Sequence, residues 1–190
     1  MSVFLDSRRL VLREFTPDDA QLLVELDGDP EVMRYLTGGR PTPPEAVRER
    51  VLPRILAHYR QPPGLGWWAA LGRDSGDFLG WFEFRPTNDG DVREVELGYR
   101  LRRAAWGTGL ATEGCRALID KGFTGLGVER VTANTMAVNA ASRRVMEKSG
   151  LRFVRTYVGD WPEMIAGAEH GEVEYALTRQ QWLRRDTGRA

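Results

Sequence analysis

Apolar residues along this chain switch between two periods, and the switches mark out its elements. Residues 9–15 (Arg-Leu-Val-Leu-Arg-Glu-Phe) alternate at every second position and predict a first strand. Thr16-Pro17-Asp18-Asp19 then has the composition of a helix start, with Thr as N-cap, Pro in the first turn and acids at the positive end. Ala20, Leu22, Leu23 and Leu26 supply the apolar stripe up to Asp27-Gly28. A short helix over 30–36, a turn-rich connector over 38–44 and a second amphipathic helix over 45–59 follow, the last with Val47, Val51, Ile55 and Leu56 at helical spacing. Pro53 inside that pattern lacks an N–H and crowds the preceding turn, so a kink or interruption is expected there. After a Pro/Gly turn at 61–66, residues 67–71 and 78–84 read as a hairpin, Asn88-Asp89-Gly90 as a turn, and 92–101 as another strand. A helix over 110–123 gathers Ala111, Cys115, Leu118, Ile119 and Phe123 on one side. Residues 130–136 return as a strand, and Asn139 caps a helix that runs to Ser149 and is closed by Gly150. Two strands, 153–158 and 173–177, end the pattern, with a surface loop at 160–171 between them. The expected fold is α+β: a mixed, mostly antiparallel sheet of about seven strands flanked by helices, with one strand–loop–helix–strand crossover.

That crossover carries the sharpest chemical signal. Tyr99-Arg-Leu-Arg-Arg-Ala-Ala-Trp-Gly-Thr-Gly-Leu-Ala-Thr-Glu-Gly114 runs from a strand through a two-glycine loop into a helix. The first turn of a helix leaves about four N–H groups without internal partners, and the macrodipole adds roughly half a positive charge. Gly107 and Gly109 admit positive φ and let a bulky anion approach the backbone, and Arg102 and Arg103 stand just upstream. The expected guest is a phosphate or pyrophosphate. A plain strand-to-helix turn, with glycines relieving crowding, is the alternative. No Lys follows Gly109 as a Walker loop requires, and Thr112 stands where a dinucleotide fingerprint has its third Gly.

Composition narrows the field. The 190 residues carry 27 Lys+Arg and 27 Asp+Glu, so no net charge argues for bulk nucleic-acid or membrane binding. The single cysteine, Cys115, excludes an internal disulfide and a multi-cysteine zinc site, and its place on the apolar helix side predicts a buried thiol. His58 and His170 are far apart and outside any ligand-spaced cluster, so no metal is expected. The N-terminus lacks a secretory pattern and no apolar run approaches a membrane span, which gives the cytoplasm as the expected compartment. Length and the lack of a linker or repeat predict one domain over 1–190, with its core at about 9–182.

Taken together, Glu96-Leu-Gly-Tyr99, Trp106-Gly-Thr-Gly-Leu-Ala-Thr-Glu113, Asn139-Ala-Ala-Ser142 and Lys148-Ser-Gly150 resemble the GNAT superfamily of N-acetyltransferases. More narrowly they resemble its ribosomal-protein N-terminal acetyltransferase (RimJ/RimL-like) branch. Arg9-Leu-Val-Leu-Arg, Asp29-Pro-Glu-Val-Met and Glu174-Tyr-Ala-Leu-Thr extend the likeness over about 9–182. The resemblance implies acetyl-CoA as donor, its pyrophosphate cradled by the backbone of Trp106, Gly107, Thr108, Gly109, Leu110, Ala111 and Thr112, with Arg102 nearby. It also implies that the 96–101 strand splays from 130–136 and that pantetheine enters the gap against backbone groups of Tyr99, Arg100 and Leu101. Asn139 matches a position that reaches the thioester region, a role compatible with its cap. Arg143 and Arg144 are candidates for the adenosine 3′-phosphate, or else form a solvated helix face. Where the family loop usually begins with Gln or Arg, this chain has Ala104, which leaves the cationic contact of Arg102 and Arg103 open.

Acetylating an amine requires a neutral nitrogen. An α-amine with pKa near 7.7–8.0 is closer to neutrality than lysine near 10.4, by about 2.5 units or roughly 3.5 kcal/mol, so an α-amine needs only a weak base. Alternation puts Glu94, Glu96 and Gly98 opposite the apolar Val95, Leu97 and Tyr99, which makes Glu96 the first candidate base and Glu83 the weaker alternative. The tyrosine that many superfamily members carry seven residues after the Asn is here Met146. Ser142 is the nearest hydroxyl for the departing thiolate, a helix cap being its other reading; Tyr157 and Tyr175 lack positional support. The expected reaction is direct attack by a primary amine (a protein N-terminus or a small molecule), without an acyl-enzyme. A non-catalytic acyl-CoA-binding module and a generic nucleotide-binding protein are the rival readings. Acceptor selection falls to the loops at 38–44 and 160–171, where Asp160, Glu163 and Glu169 would attract a cation. Oligomeric state, a homodimer included, is left open.

Overall fold

The computed structural model describes residues 3–59, 64–88, 91–159 and 165–186. Its strands are β1 (Val3–Asp6), β2 (Leu10–Arg13), β3 (Gly66–Gly72), β4 (Phe78–Asn88), β5 (Asp91–Leu101), β6 (Arg130–Met136), β7 (Arg152–Tyr157) and β8 (Glu172–Thr178). They form one eight-stranded sheet in the order β1-β2-β3-β4-β5-β6-β8-β7. Every neighbouring pair is antiparallel except β5–β6, the crossover pair. The helices are α1 (Ala20–Asp27), α2 (Pro30–Thr37), α3 (Pro44–Ala46), α4 (Leu52–His58), α5 (Leu110–Gly125), α6 (Ala140–Ser149) and α7 (Arg179–Asp186).

Each face of the sheet is buried under its own helices, as the period-two pattern requires. One face sets Leu10, Leu12, Trp68, Phe82, Phe84, Val95 and Leu97 against Cys115, Leu118 and Ile119 of α5 and Met146 of α6. The other sets Trp67, Ala69 and Phe78 against Leu23 and Leu26 of α1 and Leu52 and Ile55 of α4. Cys115 is buried, and burial pushes its thiol pKa up, so it is no nucleophile.

Two elements go beyond the sequence expectation. β1 adds an eighth strand, fastened by Phe4 stacked on Trp68 with ring centroids 3.6 Å apart. α7 closes on α5, where the Trp182 indole donates to Asp120 Oδ1 at 2.8 Å. Around Pro53, the expected interruption takes a specific form. Residues Val47–Val51 make a π-turn in which the Leu52 N–H donates to the Val47 carbonyl, re-registering the helix just before the residue that cannot donate.

The first turn is held by an ion pair inside the protein. Arg13 donates from Nη1 and Nη2 to Asp19 Oδ2 and Oδ1 at 2.7 and 2.8 Å, both side chains being 7% exposed. Burial pushes the Asp19 carboxyl up, but the bonds from Arg13 and Thr16 outweigh it and hold the pKa below the usual value. Asp19→Asn should therefore cost about 3–5 kcal/mol in urea denaturation at neutral pH, since it strands a buried guanidinium. Because the folded pKa is depressed, this stabilisation is complete above the ordinary aspartate range. The gap between wild type and variant should close as pH falls through the depressed value.

Candidate active site

β5 and β6 stay together for three residue pairs only, Glu94↔Arg130, Val95↔Val131 and Glu96↔Thr132. Past Thr132, whose hydroxyl donates to the Val95 carbonyl at 3.3 Å, β5 continues beside β4 to Leu101 and β6 continues beside β8 to Met136. The two strands part into a fork. Backbone groups of a strand alternate in direction, and the Arg102 N–H donating to the Leu79 carbonyl sets the phase. Gly98 and Arg100 face β4, while Tyr99 and Leu101 face the gap. The Leu101 carbonyl already accepts the Trp106 indole N–H at 2.8 Å, which leaves the Tyr99 N–H and C=O as the fully open edge. This corrects two expectations: the Arg100 backbone belongs to the β4 ladder, and Leu101 has only its N–H to offer.

At the fork's mouth the chain turns into α5. Gly107 and Gly109 have φ of 73° and 84°, the left-handed region that a side chain resists. The Glu113 N–H donates to the Gly109 carbonyl as the first helical bond, and among the described residues no backbone acceptor takes the amides of 107–112. Thr108 is the exception among the side chains here, its hydroxyl donating to the Ala105 carbonyl at 2.7 Å. Of the anticipated nest, the amides of Gly107, Thr108, Gly109, Leu110, Ala111 and Thr112 are free of backbone acceptors, whereas the Trp106 N–H donates to the Arg103 carbonyl at 3.0 Å and drops out of it.

Its fastening was not anticipated. Glu113 in the first turn of α5 accepts from the Arg9 N–H and Nε, both at 2.7 Å, and from the Ser7 hydroxyl at 2.9 Å. Arg9 Nη1 donates in turn to the Thr108 carbonyl at 3.0 Å, turning that oxygen away from the nest. The arginines expected at the phosphates look elsewhere. Arg102 pairs with Glu25 and Arg103 with Asp29, each at 2.7 Å, and Arg100 pairs with Asp27. These pairs tie α1 and α2 to the end of β5 around a cavity of about 300 Å³ lined also by Leu26, Val32 and Ala104. Arg143 is likewise occupied, donating from Nη1 to the Ala137 carbonyl at 3.1 Å and from Nε to the Tyr175 hydroxyl at 3.3 Å, while Arg144 is exposed. Arg102 and Arg143, expected at the phosphates, thus each hold partners within the protein.

On the helix side of the fork, Asn139 caps α6, accepting the Ser142 N–H at 3.2 Å and donating to Thr135 Oγ1 at 3.1 Å. Ser142 is not the cap. Its hydroxyl lies 2.8 Å from the Tyr99 hydroxyl, a contact that spans the gap from β5 to α6. Burial pushes the Tyr99 pKa up, so the pair stays protonated. Met146 is buried and offers no acid, and Tyr175 is spent on Glu147.

The opposite face carries the carboxylates. Arg85 on β4 donates from Nη2 to Glu96 Oε2 at 2.6 Å and from Nε to Glu83 Oε1. Burial raises the Glu83 pKa against the pull of Arg85. Tyr157 donates toward Glu172 Oε2 at 2.8 Å, with Asn134 Oδ1 at 3.2 Å, and burial raises its pKa as well. The two candidate selectivity loops meet each other, since a Cβ on Gly38 would sit 3.3 Å from the Ile165 side chain. Glu169 accepts the Gly167 N–H at 2.9 Å in the same loop, whereas Asp160 and Glu163 lie outside the described residues. Among the described residues no acidic, histidine or cysteine group is arranged to hold a metal, and no helix is long and apolar enough to cross a membrane.

Comparison with known proteins decides what this fork is. The acetyltransferase (GNAT) domain family matches residues 9–152. The chain belongs to that family. It is 36% identical to the FsC-acetyl coenzyme A-N(2)-transacetylase of Aspergillus fumigatus over 187 residues, 95% of this chain and 78% of that protein. Its fold is similar to that of the ribosomal L7/L12 alpha-N-protein acetyltransferase RimL in complex with coenzyme A, with a TM-score of 0.77 at 18% identity, covering 95% of this chain and 99% of that one. It is also similar to aminoglycoside acetyltransferase AAC(6′)-Ib in complex with coenzyme A, with a TM-score of 0.72 at 23% identity over 93% and 99% of the two chains. This GNAT chain is an acetyl-CoA-dependent N-acetyltransferase. The residues fit the co-substrate: free amides suit a diphosphate, and an open strand edge at Tyr99 suits a chain that carries amides of its own.

Gly109→Val forces a β-branched residue to φ near 84° beside Arg9. It should weaken coenzyme A binding by about tenfold or more in calorimetry, the scale of 1–3 kcal/mol of local strain. Unchanged affinity in a folded variant would remove the loop from the binding site.

Proposed function

We propose that this enzyme acetylates a primary amine on a small molecule, with an α-type amine as its natural acceptor. The observation that carries the reading is the fork's position between two unlike faces. One face offers free amides and neutral hydroxyls, and the other offers carboxylates bridged by a single guanidinium. Acetyl-CoA supplies the activated thioester. The loop amides hold its diphosphate and the Tyr99 backbone aligns its arm along β5. The Glu96 side of the sheet receives the acceptor amine and relieves the nitrogen of its proton. The Ser142 hydroxyl, which the Tyr99 hydroxyl can resupply, stands where a departing thiolate needs one. Attack is direct, as the buried Cys115 offers no acyl carrier.

The choice of a small α-type amine is supported by the name of the Aspergillus relative, which places its transfer on an N(2) nitrogen. It also agrees with the modest proton affinity of such amines, which a weak base such as a carboxylate can manage. A protein N-terminus, the acceptor of the RimJ/RimL-like branch, is the second reading; the sequence resemblance and the RimL-like fold favour it.

A panel of small α-amines, polyamines, aminoglycosides and N-terminal peptides, followed by thiol release with acetyl-CoA, separates these. Small α-amines should exceed hydrolysis and exceed peptides by about tenfold in kcat/KM, the margin of a 1.4 kcal/mol difference. Preference for peptides would favour the N-terminal reading, and coenzyme binding without transfer to any amine would indicate a non-catalytic module.

A further inference from the structure

We propose that Glu83 on β4, rather than Glu96, is the catalytic base that takes the acceptor's proton, and that Arg85 and Glu96 position it. The inference rests on the reading that the enzyme acetylates an amine, and it follows from where the two carboxylates stand along the fork. Glu96 pairs with Thr132 at the closed end and lies opposite Arg85 across the β4–β5 ladder. One side-chain step toward the open end is Gly98, which lies opposite Glu83. Gly98 has no side chain to cover that step, and the Glu83 carboxylate fills the space. A Cβ on Gly98 would meet Glu83 Cβ and Oε2 at 3.4 Å. Glu83 is thus the carboxylate that lies over the stretch of β5 which β6 has left.

Charge and burial agree with this placement. One guanidinium serves two carboxylates, so the trio carries one uncompensated negative charge, which attracts an acceptor arriving as an ammonium. The Glu83 side chain is 13% exposed against 29% for Glu96. Burial makes it the stronger base, Glu96 adds repulsion in the same direction, and Arg85 with the Trp67 side chain pulls the other way without cancelling the rise. The other charged or titratable groups around it are Arg54 and His58 of α4, both packed on the Trp67 ring, and Tyr157 and Glu172 beyond Glu96. The ammonium first gives one proton to Glu83, which passes it to solvent; the neutral nitrogen then attacks, and as the N–C bond forms and the C–S bond breaks its second proton passes to Glu83. The thiolate takes a proton from the Ser142–Tyr99 hydroxyls, and solvent then resets both.

The test compares wild type, Glu83→Gln and Glu96→Gln across pH, using amines of graded pKa and checking each protein's melting temperature and coenzyme A affinity. Glu83→Gln should lower kcat/KM by about 100-fold or more and abolish the acidic limb, the scale of a lost general base. Its deficit should shrink for weakly basic amines that are already neutral. Glu96→Gln should fall by only about tenfold. Its acidic limb should move to lower pH, because removing a neighbouring negative charge lowers the Glu83 pKa. A Glu83→Gln deficit equal for all amines would mean a structural role and overturn the inference. An intact limb in Glu83→Gln with its loss in Glu96→Gln would transfer the role to Glu96 and overturn it too. Transfer to no amine by wild type would overturn the amine reading and the inference together, an outcome distinct from an active wild type with an active Glu83→Gln.

Discussion

The parting of β5 from β6 after three residue pairs is the constraint on which the site depends. A strand edge inside a sheet ordinarily fills its hydrogen bonds, and leaving it open exposes backbone groups that cost free energy if buried alone. Here each strand is anchored on its outer side, β5 by the whole length of β4 and β6 by β8, so neither needs the other to remain a strand. One side chain then covers part of the β5 edge and another bridges the opening. The Trp106 indole occupies the Leu101 carbonyl, and Tyr99 reaches across to Ser142. The gap that results has an open polar edge at Tyr99, which suits an extended chain with amides of its own.

Electrostatics at the mouth of the fork follows from the same economy. The loop has few mobile cations to give a phosphate, because Arg102 and Arg103 are committed to Glu25 and Asp29. What remains is the backbone, whose N–H groups are aligned by two left-handed glycines and by Arg9 gripping Thr108 and Glu113. Fixed amides pay no rotamer entropy on binding, unlike a long arginine, so a rigid nest can substitute for the cation that Ala104 does not supply. The arginine–carboxylate pairs instead join α1 and α2 to the end of β5, so that these helices and the chain entering the glycine loop form one braced unit.

Local signals in the sequence were enough for most elements and for the loop. Gly107 and Gly109 before a helical pattern announced free amides, and Asn139 three residues before Ser142 announced a cap. Alternation alone placed Glu96 opposite Val95 and Leu97. Four-residue β1, with Leu5 its one buried side chain, gives no countable alternation, and α7 is polar round most of its surface, so both escaped. The fork came only from family resemblance, since whether two strands part is decided by their outer neighbours and not by their own residues. Arg9 and Glu113 stand 104 residues apart, beyond any periodic reading. The commitment of Arg102 and Arg143 to internal partners was equally invisible, because a helix-face or loop arginine reads the same whether or not a carboxylate or carbonyl awaits it.

Amide hydrogen exchange, followed residue by residue with and without coenzyme A, tests the central claim most directly. If the open edge and the loop hold the coenzyme, the amides of Tyr99 and of residues 107–112 gain protection on binding, while the Arg100 amide, already laddered to β4, is protected in both states. Exchange at Tyr99 and the loop that is unchanged by saturating coenzyme A would contradict the account.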